Sequence, residues 1–499
     1  MNENLLAACR AAFESTGEAI TLGAPVEGHD SAPEPLVRIP LAMMNRHGLI
    51  AGATGTGKTK TLQLMAEQLS GAGVPVFLAD LKGDLSGLAV PGEADARVEQ
   101  RARDTGWDWR PAGVPVEFLS LTGARGAQLR ATVSSFGPLL LAKVLGLNDT
   151  QTSVLTLVFK LCDERQLELL DFADLRAVLQ YLSGTGADEL KSYGGMSKQT
   201  VGVLLRKMVE LEAQGGQAFF GEPEFDLEDL LQVDRDGRGM VSVLELSDAQ
   251  DKPTLFSTFM LWMLARLYND LPEVGDLEKP KLVFFFDEAH LLFSGASKAL
   301  LAQIEQVARL IRSKGVGVFF VTQTPKDVPE DVLAQLGHRV QHALRAFTPN
   351  DQKALRATVK TFPNSDFYDL EEALTTLGIG EAMVTVLSLR GVPSQPFATR
   401  LIPPSSRMAP LADAELQERL ARSQQVKRYR DAIDRLSAAE KLAAQAAAPP
   451  PDAPASRRPE PGTLEKVLRS PVARSVAVTV AGAITRGILG ALRGSRRTR

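Results

Sequence analysis

The residues of this chain best suited to chemistry begin with Gly52-Ala53-Thr54-Gly55-Thr56-Gly57-Lys58-Thr59, which fits the spacing G-x-x-x-x-G-K-[ST]. The glycines let backbone N–H groups turn inward around a phosphate with no Cβ in the way. The start of a following helix adds positive potential. Lys58 is then placed to reach the β- and γ-phosphates and the Thr59 hydroxyl to coordinate Mg²⁺, with Lys60 beside them. A glycine-rich turn that only joins a strand to a helix is the plain alternative, and the fixed Lys-Thr pair with its flanks argues against it. The spacing implies a nucleotide-binding protein, with ATP and Mg²⁺ as its ligands.

A second group follows far along the chain, Leu282-Val283-Phe284-Phe285-Phe286-Asp287-Glu288-Ala289-His290. An apolar strand here delivers two carboxylates to its C-terminal edge, where parallel α/β sheets bind ligands. Asp287 suits the metal side. Glu288 suits the general base that polarises water for attack on the γ-phosphate. The letters D-E-A-H also name a helicase superfamily, but those enzymes need two tandem cores and only one is evident. A third run, Val316–Thr322, ends in Gln323-Thr324-Pro325, and a strand-end amide such as Gln323 fits a sensor of the γ-phosphate or attacking water.

The elements that must position these groups read as strands alternating with helices. Leu49–Ala51, Val74–Ala79, Val114–Leu119, Gly239–Leu246, Lys281–Phe286, Val316–Thr322, Arg339–Ala346 and Ala382–Leu389 are expected strands. Leu62, Leu64, Met65 and Leu69 give the face of a helix after the glycine-rich loop. Pro253–Asn269 and Ala299–Ser313 are expected helices, and Leu5–Phe13 a short one. The pattern implies an α/β fold with a mainly parallel, doubly wound sheet of RecA-like P-loop type. Between about 131 and 235 the periodicity is helical throughout, so an α-helical insertion divides the core into 38–130 and 236–408. Lys191, Lys198, Arg206 and Lys207 in it suit a solvated face or a nucleic-acid face. Residues 1–37 read as a loop-rich lead-in, 409–445 as one charged helix supported by Glu418–Arg422 and Asp431–Arg435, 446–462 as an Ala/Pro-rich linker, and 463–499 as a basic amphipathic tail.

Of 499 residues, 44% are hydrophobic and 23% charged, which is ordinary for a soluble globular protein. The two cysteines, Cys9 and Cys162, and the five histidines show no metal-ligand spacing. No apolar run approaches the ~20 residues of a membrane span, and no secretory signal is evident, so a cytoplasmic location is expected. Net charge is −4. The last stretch, Arg457–Arg499, carries about +8 of its own, so the body is acidic and any contact with nucleic acid must be local.

Taken in order, the glycine-rich loop, Asp80 with Lys82, Asp287-Glu288, Thr322-Gln323 and Arg339/Arg345 resemble the FtsK–HerA class of P-loop ATPases. Asn45–Thr59 and Ala79–Gly87 are similar to the corresponding segments of HerA-like proteins of the YjgR type, and the resemblance covers nearly the whole chain. It implies a Mg²⁺-dependent ATPase forming a homo-hexameric ring that acts on double-stranded DNA. It also implies a sensor strand between the glycine-rich-loop strand and the acidic strand, which sets Gln323 between Lys58 and Glu288. The residues ahead of Gly52 are too few for the N-terminal β-barrel of HerA itself. An arginine completing a neighbour's site is implied too, with Arg339 and Arg345 as candidates, placed by spacing on one face of one strand. Arg309 and Arg312, near a helix end, suit the helix dipole. The basic tail fits an anionic membrane surface, DNA phosphates or a protein contact. The alternatives are therefore an ATPase acting on protein partners, peripheral to the inner membrane, or a nucleotide-binding module with little turnover.

Overall fold

Strands buried on both faces need no polar alternation, and the central strands here have none. In the computed structural model, which describes residues 1–13, 17–275, 277–293 and 298–447, thirteen strands form one sheet. In chain order they are β1 (Ala19–Glu27), β2 (Asp30–Ser31), β3 (Val37–Pro40), β4 (Gly48–Ala51), β5 (Val76–Asp80), β6 (Val116–Ser120), β7 (Ala127–Gln128), β8 (Val241–Glu245), β9 (Leu282–Phe286), β10 (Val316–Thr322), β11 (His338–His342), β12 (Glu381–Thr385) and β13 (Phe397–Leu401). The spatial order is β2-β1-β13-β12-β11-β4-β10-β9-β5-β8-β6-β7, with β3 also paired to β1. From β11 to β7 all neighbours run parallel. From β11 through β12, β13 and β1 they run antiparallel.

Every residue of β4, β5, β8, β9 and β10 is buried. Phe77 meets Phe284 at 5.1 Å between ring centroids, and Phe285 stacks on Phe319 at 5.2 Å. Each ring fully buried in this way stabilises the fold by about 1.5–3 kcal/mol. The helix Lys58–Gly71 lies against β1, β4, β5 and β10, and Pro253–Asp270 packs with Lys298–Leu310. These layers fix the ends of β4, β9 and β10, where the chemistry sits.

Between β7 and β8 the chain forms the helices Val133–Val144, Asp149–Arg165, Phe172–Ser183 and Lys198–Leu211. Asn148 with Gln151 and Asp171 with Asp174 close capping boxes at two of their N-termini. Lys191 pairs with Asp188 at 2.6 Å and Lys207 with Glu210 at 2.7 Å, so two of the expected surface cations there are already matched.

Three expectations are corrected. The lead-in 1–37 contains β1, which pairs with β13 at Gly23↔Leu401 and Pro25↔Thr399. Gly23 and Pro25 hide the strand in the sequence. Glycine is required because a Cβ at 23 would lie 2.0 Å from the Arg400 carbonyl oxygen. The single charged helix over 409–445 is instead Asp413–Arg422, Gln424–Tyr429 and a third helix, Ala438–Ala447. Ser423, extended at φ −62° and ψ 131°, interrupts it, and its side chain accepts from Val426 N–H to start the next helix. Glu418 and Arg422 do pair at 2.5 Å, whereas Arg435 reaches Glu222 at 2.6 Å. Finally, β11 stops at His342, so Arg345 lies beyond the strand and shares no strand face with Arg339. Residues Met1–Ala443 form one compact unit. The linker and the basic tail, 448–499, lie outside the described residues.

Candidate nucleotide site

β4 ends at Ala51 and the helix begins at Lys58, so residues 52–57 form the loop. Gly52 has φ +152°, and a Cβ there would meet the His342 Cβ at 2.5 Å. Gly57, at φ +111°, caps the helix in the left-handed region. Neighbouring strands tie the loop down. Gly52 N–H donates to Thr322 O at 3.2 Å, Ala53 N–H to Ala343 O at 2.9 Å, and Gly380 N–H to Thr56 O at 3.0 Å. Thr54 and Gly55 are exposed at the rim. Lys58 is buried and its Nζ turns back onto the Ala53 carbonyl at 3.1 Å. Burial lowers its pKa, opposed by the charges of Glu288 and Asp287. Thr59 is half-buried in the first turn of the helix. Lys60 turns sideways to Gln63 Oε1 at 3.2 Å and to the Met408 carbonyl.

At the end of β9, Asp287 and Glu288 are both buried. Glu288 has φ +48°, which for a residue with a Cβ is a strained conformation of the kind functional sites retain. Lys82 Nζ donates to Glu288 Oε1 at 2.5 Å, and His290 Nδ1 lies 3.4 Å from Oε2. Asp287 Oδ1 accepts from the Glu288 N–H at 2.9 Å. Asp287 Oδ2 and Glu288 Oε2 are buried without a hydrogen-bond partner. Burial pushes the Asp287 carboxyl up to about 7, with Lys82 opposing and Glu288 adding to the shift.

β5 lies beside β9 in the register Ala79↔Phe286, which brings Asp80 and the following loop alongside. Asp80 accepts from the N–H groups of Gly83 and Leu85, both at 2.8 Å, and of Lys82 at 3.2 Å. Those bonds fold the loop that carries Lys82. Burial and the charge of Glu245 push the Asp80 carboxyl up to about 7 against these bonds.

β10 runs between β4 and β9, with Thr322↔Ala51 on one side and Phe320↔Phe286 on the other. Asp327 holds the turn after it, accepting from Thr322 Oγ1 at 2.6 Å and Thr324 N–H at 3.0 Å. Gln323 is left exposed between these two anchors.

The arginines divide. Arg345 is exposed two residues after Ala343, the residue that anchors the loop. Arg339 pairs with Leu49 on β4, toward the opposite end of the sheet from the glycine-rich loop. There it lines a cleft of about 760 Å³ with Arg46, Arg309, Arg312 and Arg390, Arg309 being paired with Glu305 at 2.5 Å. Arg339 Nη1 and its cross-strand partner's Thr385 Oγ1 are buried without hydrogen-bond partners.

Residues 52–57 with Lys58 have the backbone geometry and charge to suit phosphates, and the buried, unpartnered Asp287 Oδ2 suits a cation. Among the described residues no three His, Cys, Asp or Glu side chains gather as a metal site. Sequence reasoning missed the Lys82–Glu288 pair and His342, whose Nε2 lies 2.8 Å from Thr61 Oγ1 beneath the loop. Only the two residues Lys82 and His342 themselves were visible in the sequence; the contacts come from strand neighbours far away in the chain.

A glycine-rich loop between a parallel strand and a helix, an intervening polar strand end and an acidic strand end define a P-loop α/β protein. The chain belongs to the family described as helicase HerA-like C-terminal, which matches residues 27–461. It is 25% identical over 357 residues to the DNA double-strand break repair helicase HerA of Sulfurisphaera tokodaii, covering 70% of this chain and 64% of that protein. It is 26% identical over 368 residues to a probable helicase of Methanocaldococcus jannaschii, covering 70% and 65%. The match thus spans less than two thirds of those relatives. Among solved structures, the bacterial conjugative coupling protein TrwBdeltaN70 shares the fold with a TM-score of 0.51 and 15% identity, over 81% of this chain and 92% of that one.

Proposed function

We propose that the chain hydrolyses ATP and uses the energy to move on or remodel double-stranded DNA as a homo-hexameric ring. Lys58 leaves the Ala53 carbonyl for the β- and γ-phosphates, and backbone N–H groups of the loop hold their oxygens. Thr59 and Asp287 would hold Mg²⁺, which neutralises phosphate charge when bound. Water attacks the γ-phosphorus in line as the bond to the bridging oxygen breaks, and Glu288 takes the water's proton. Gln323, between the loop strand and the acidic strand, is the group that orients water or senses the γ-phosphate.

The observation that carries this reading is Glu288 Oε2, buried and without a hydrogen-bond partner at the end of β9. A buried acceptor that makes no hydrogen bond, with only His290 Nδ1 nearby at 3.4 Å, costs stability unless something is to occupy it. In a ring, Arg339 and Arg345 are the candidates to stabilise a neighbour's transferring phosphoryl group. Arg339 Nη1, buried without a hydrogen-bond partner in a cleft lined by arginines, supports the first of them. The DNA substrate rests on the printed names of the relatives, helicases that this chain matches over part of their length.

The test is the ATPase rate with and without linear duplex DNA at low and moderate salt. A several-fold stimulation that weakens with salt supports a DNA motor. Activity indifferent to DNA would send the search to protein partners.

A further inference from the structure

Glu288, the base of the proposed reaction, is already held by a cation. Lys82 Nζ donates to its Oε1 at 2.5 Å, and the Glu288 side chain is only 6% exposed, where a carboxylate without a partner is costly. The lysine reaches it from solvent. Its side chain is 46% exposed and carries the ammonium on a flexible four-carbon stem. The root of that stem is fixed. Asp80 accepts from the N–H groups of Lys82, Gly83 and Leu85, which folds the loop beside the ends of β5 and β9.

The other two lysines of the site have different partners. Lys58 lies on the Ala53 carbonyl, and Lys60 on Gln63 and the Met408 carbonyl. Of the three, only Lys82 is held by a group whose charge the reaction removes. In hydrolysis the water oxygen bonds to the γ-phosphorus. The bond from that phosphorus to the bridging oxygen breaks, and its electron pair leaves with ADP. The water's proton passes to Glu288, so one negative charge moves from the carboxylate to the reacting phosphates. The attraction that keeps the ammonium on Glu288 is therefore lost as a new one appears beside it. A protonated Glu288 is neutral and tolerates burial, and His290 Nδ1 stays beside it, 3.4 Å from Oε2. Arg339 of the same chain stands toward the opposite end of the sheet from the glycine-rich loop.

We propose that Lys82 is a catalytic residue acting within its own chain, leaving Glu288 for an oxygen of the transferring γ-phosphoryl group as the base takes its proton. The proposal rests on the reading of Glu288 as base and of the glycine-rich loop as the ATP site. Lys82 itself gives and takes no proton. Before the step its ammonium remains on Glu288, so the contact raises turnover and adds little to the affinity for ATP.

The test is equilibrium binding of ADP, alone and with aluminium fluoride as a mimic of the transferring phosphoryl group, both with Mg²⁺. The proteins are the full-length wild type, Glu288→Gln and Glu288→Gln/Lys82→Met. Glutamine carries no charge, so the second substitution leaves no buried carboxylate unpaired. Aluminium fluoride is expected to tighten ADP binding by roughly tenfold or more in the wild type and in Glu288→Gln. In Glu288→Gln/Lys82→Met that gain falls by roughly tenfold, while ADP alone binds within about twofold of the wild type. An equal gain with and without Lys82 overturns the proposal and leaves the lysine as a partner of Glu288 only. A roughly tenfold loss of affinity for ADP alone in the double variant also overturns it, because the contact is then not confined to the transferring group. If aluminium fluoride brings no gain in the wild type, the proposal fails while the nucleotide site stands. If the wild type binds no ADP, the reading of the loop as the ATP site fails first.

Discussion

Glu67 on the loop helix clamps the segment after β13, and its titration should set the pH dependence of that clamp. Its carboxylate accepts from Ser405 N–H at 2.6 Å, Ser406 N–H at 3.0 Å and Ser406 Oγ at 2.8 Å. Burial nonetheless pushes it from 4.5 up to about 7, with these three hydrogen bonds opposing the rise. Between those two values the folded chain holds a proton that the unfolded chain has released. Stability from this group is therefore present at low pH and lost as pH rises through about 7. At 1.36 kcal/mol per unit, the loss between pH 5 and pH 8 is about 2–3 kcal/mol. Glu67→Gln cannot ionise, so the stability of the wild type minus that of the variant should fall by about this amount over the same range. Asp80, shifted the same way, is present in both proteins and cancels in the difference. The assay is denaturant unfolding of both proteins at several pH values and one temperature. A difference that stays flat to within about 0.5 kcal/mol from pH 5 to 8 would show that Glu67 does not hold a raised pKa in the folded chain.

Other outcomes follow from the same geometry. Gly52→Ala places a Cβ against the Cβ of His342 at 2.5 Å, so nucleotide binding is expected to be lost and stability to fall by about 1–3 kcal/mol, read by titration and by unfolding. Lys82→Met removes the cation 2.5 Å from Glu288; turnover is expected to fall by roughly tenfold or more while the ATP dissociation constant stays within about twofold. A mixture of Lys58→Ala and Arg339→Ala subunits should recover ATPase activity that neither has alone, because some mixed interfaces pair an intact loop with an intact arginine; no recovery would remove Arg339 from a role in trans.

What could be read from the sequence was whatever lay within one short run of chain. Gly52–Thr59 and Phe284–Glu288 carry their spacing and their apolar lead-in with them, and the parallel α/β core with β10 between β4 and β9 agrees with expectation. β1 was hidden because its partner β13 lies hundreds of residues on and because Gly23 and Pro25 are poor strand formers taken alone. The pairing of Lys82 with Glu288 spans 206 residues and depends on β5 lying beside β9. Arg339 and Arg345 looked equivalent by alternation alone. The end of β11 at His342 separates them, leaving one in a basic cleft and the other near the loop. Breaks in the charged helix came from Ser423 and from the Glu222 partner of Arg435, neither of which shows in helical periodicity.

The central claim is that Glu288 activates water for hydrolysis of ATP held by Lys58. The measurement that tests it most directly is ATP turnover beside ATP binding in the wild type, Glu288→Gln and Lys58→Ala. Glu288→Gln is expected to bind ATP like the wild type yet turn it over roughly a hundredfold or more slowly, whereas Lys58→Ala loses both. Turnover in Glu288→Gln within a few-fold of the wild type would contradict the claim.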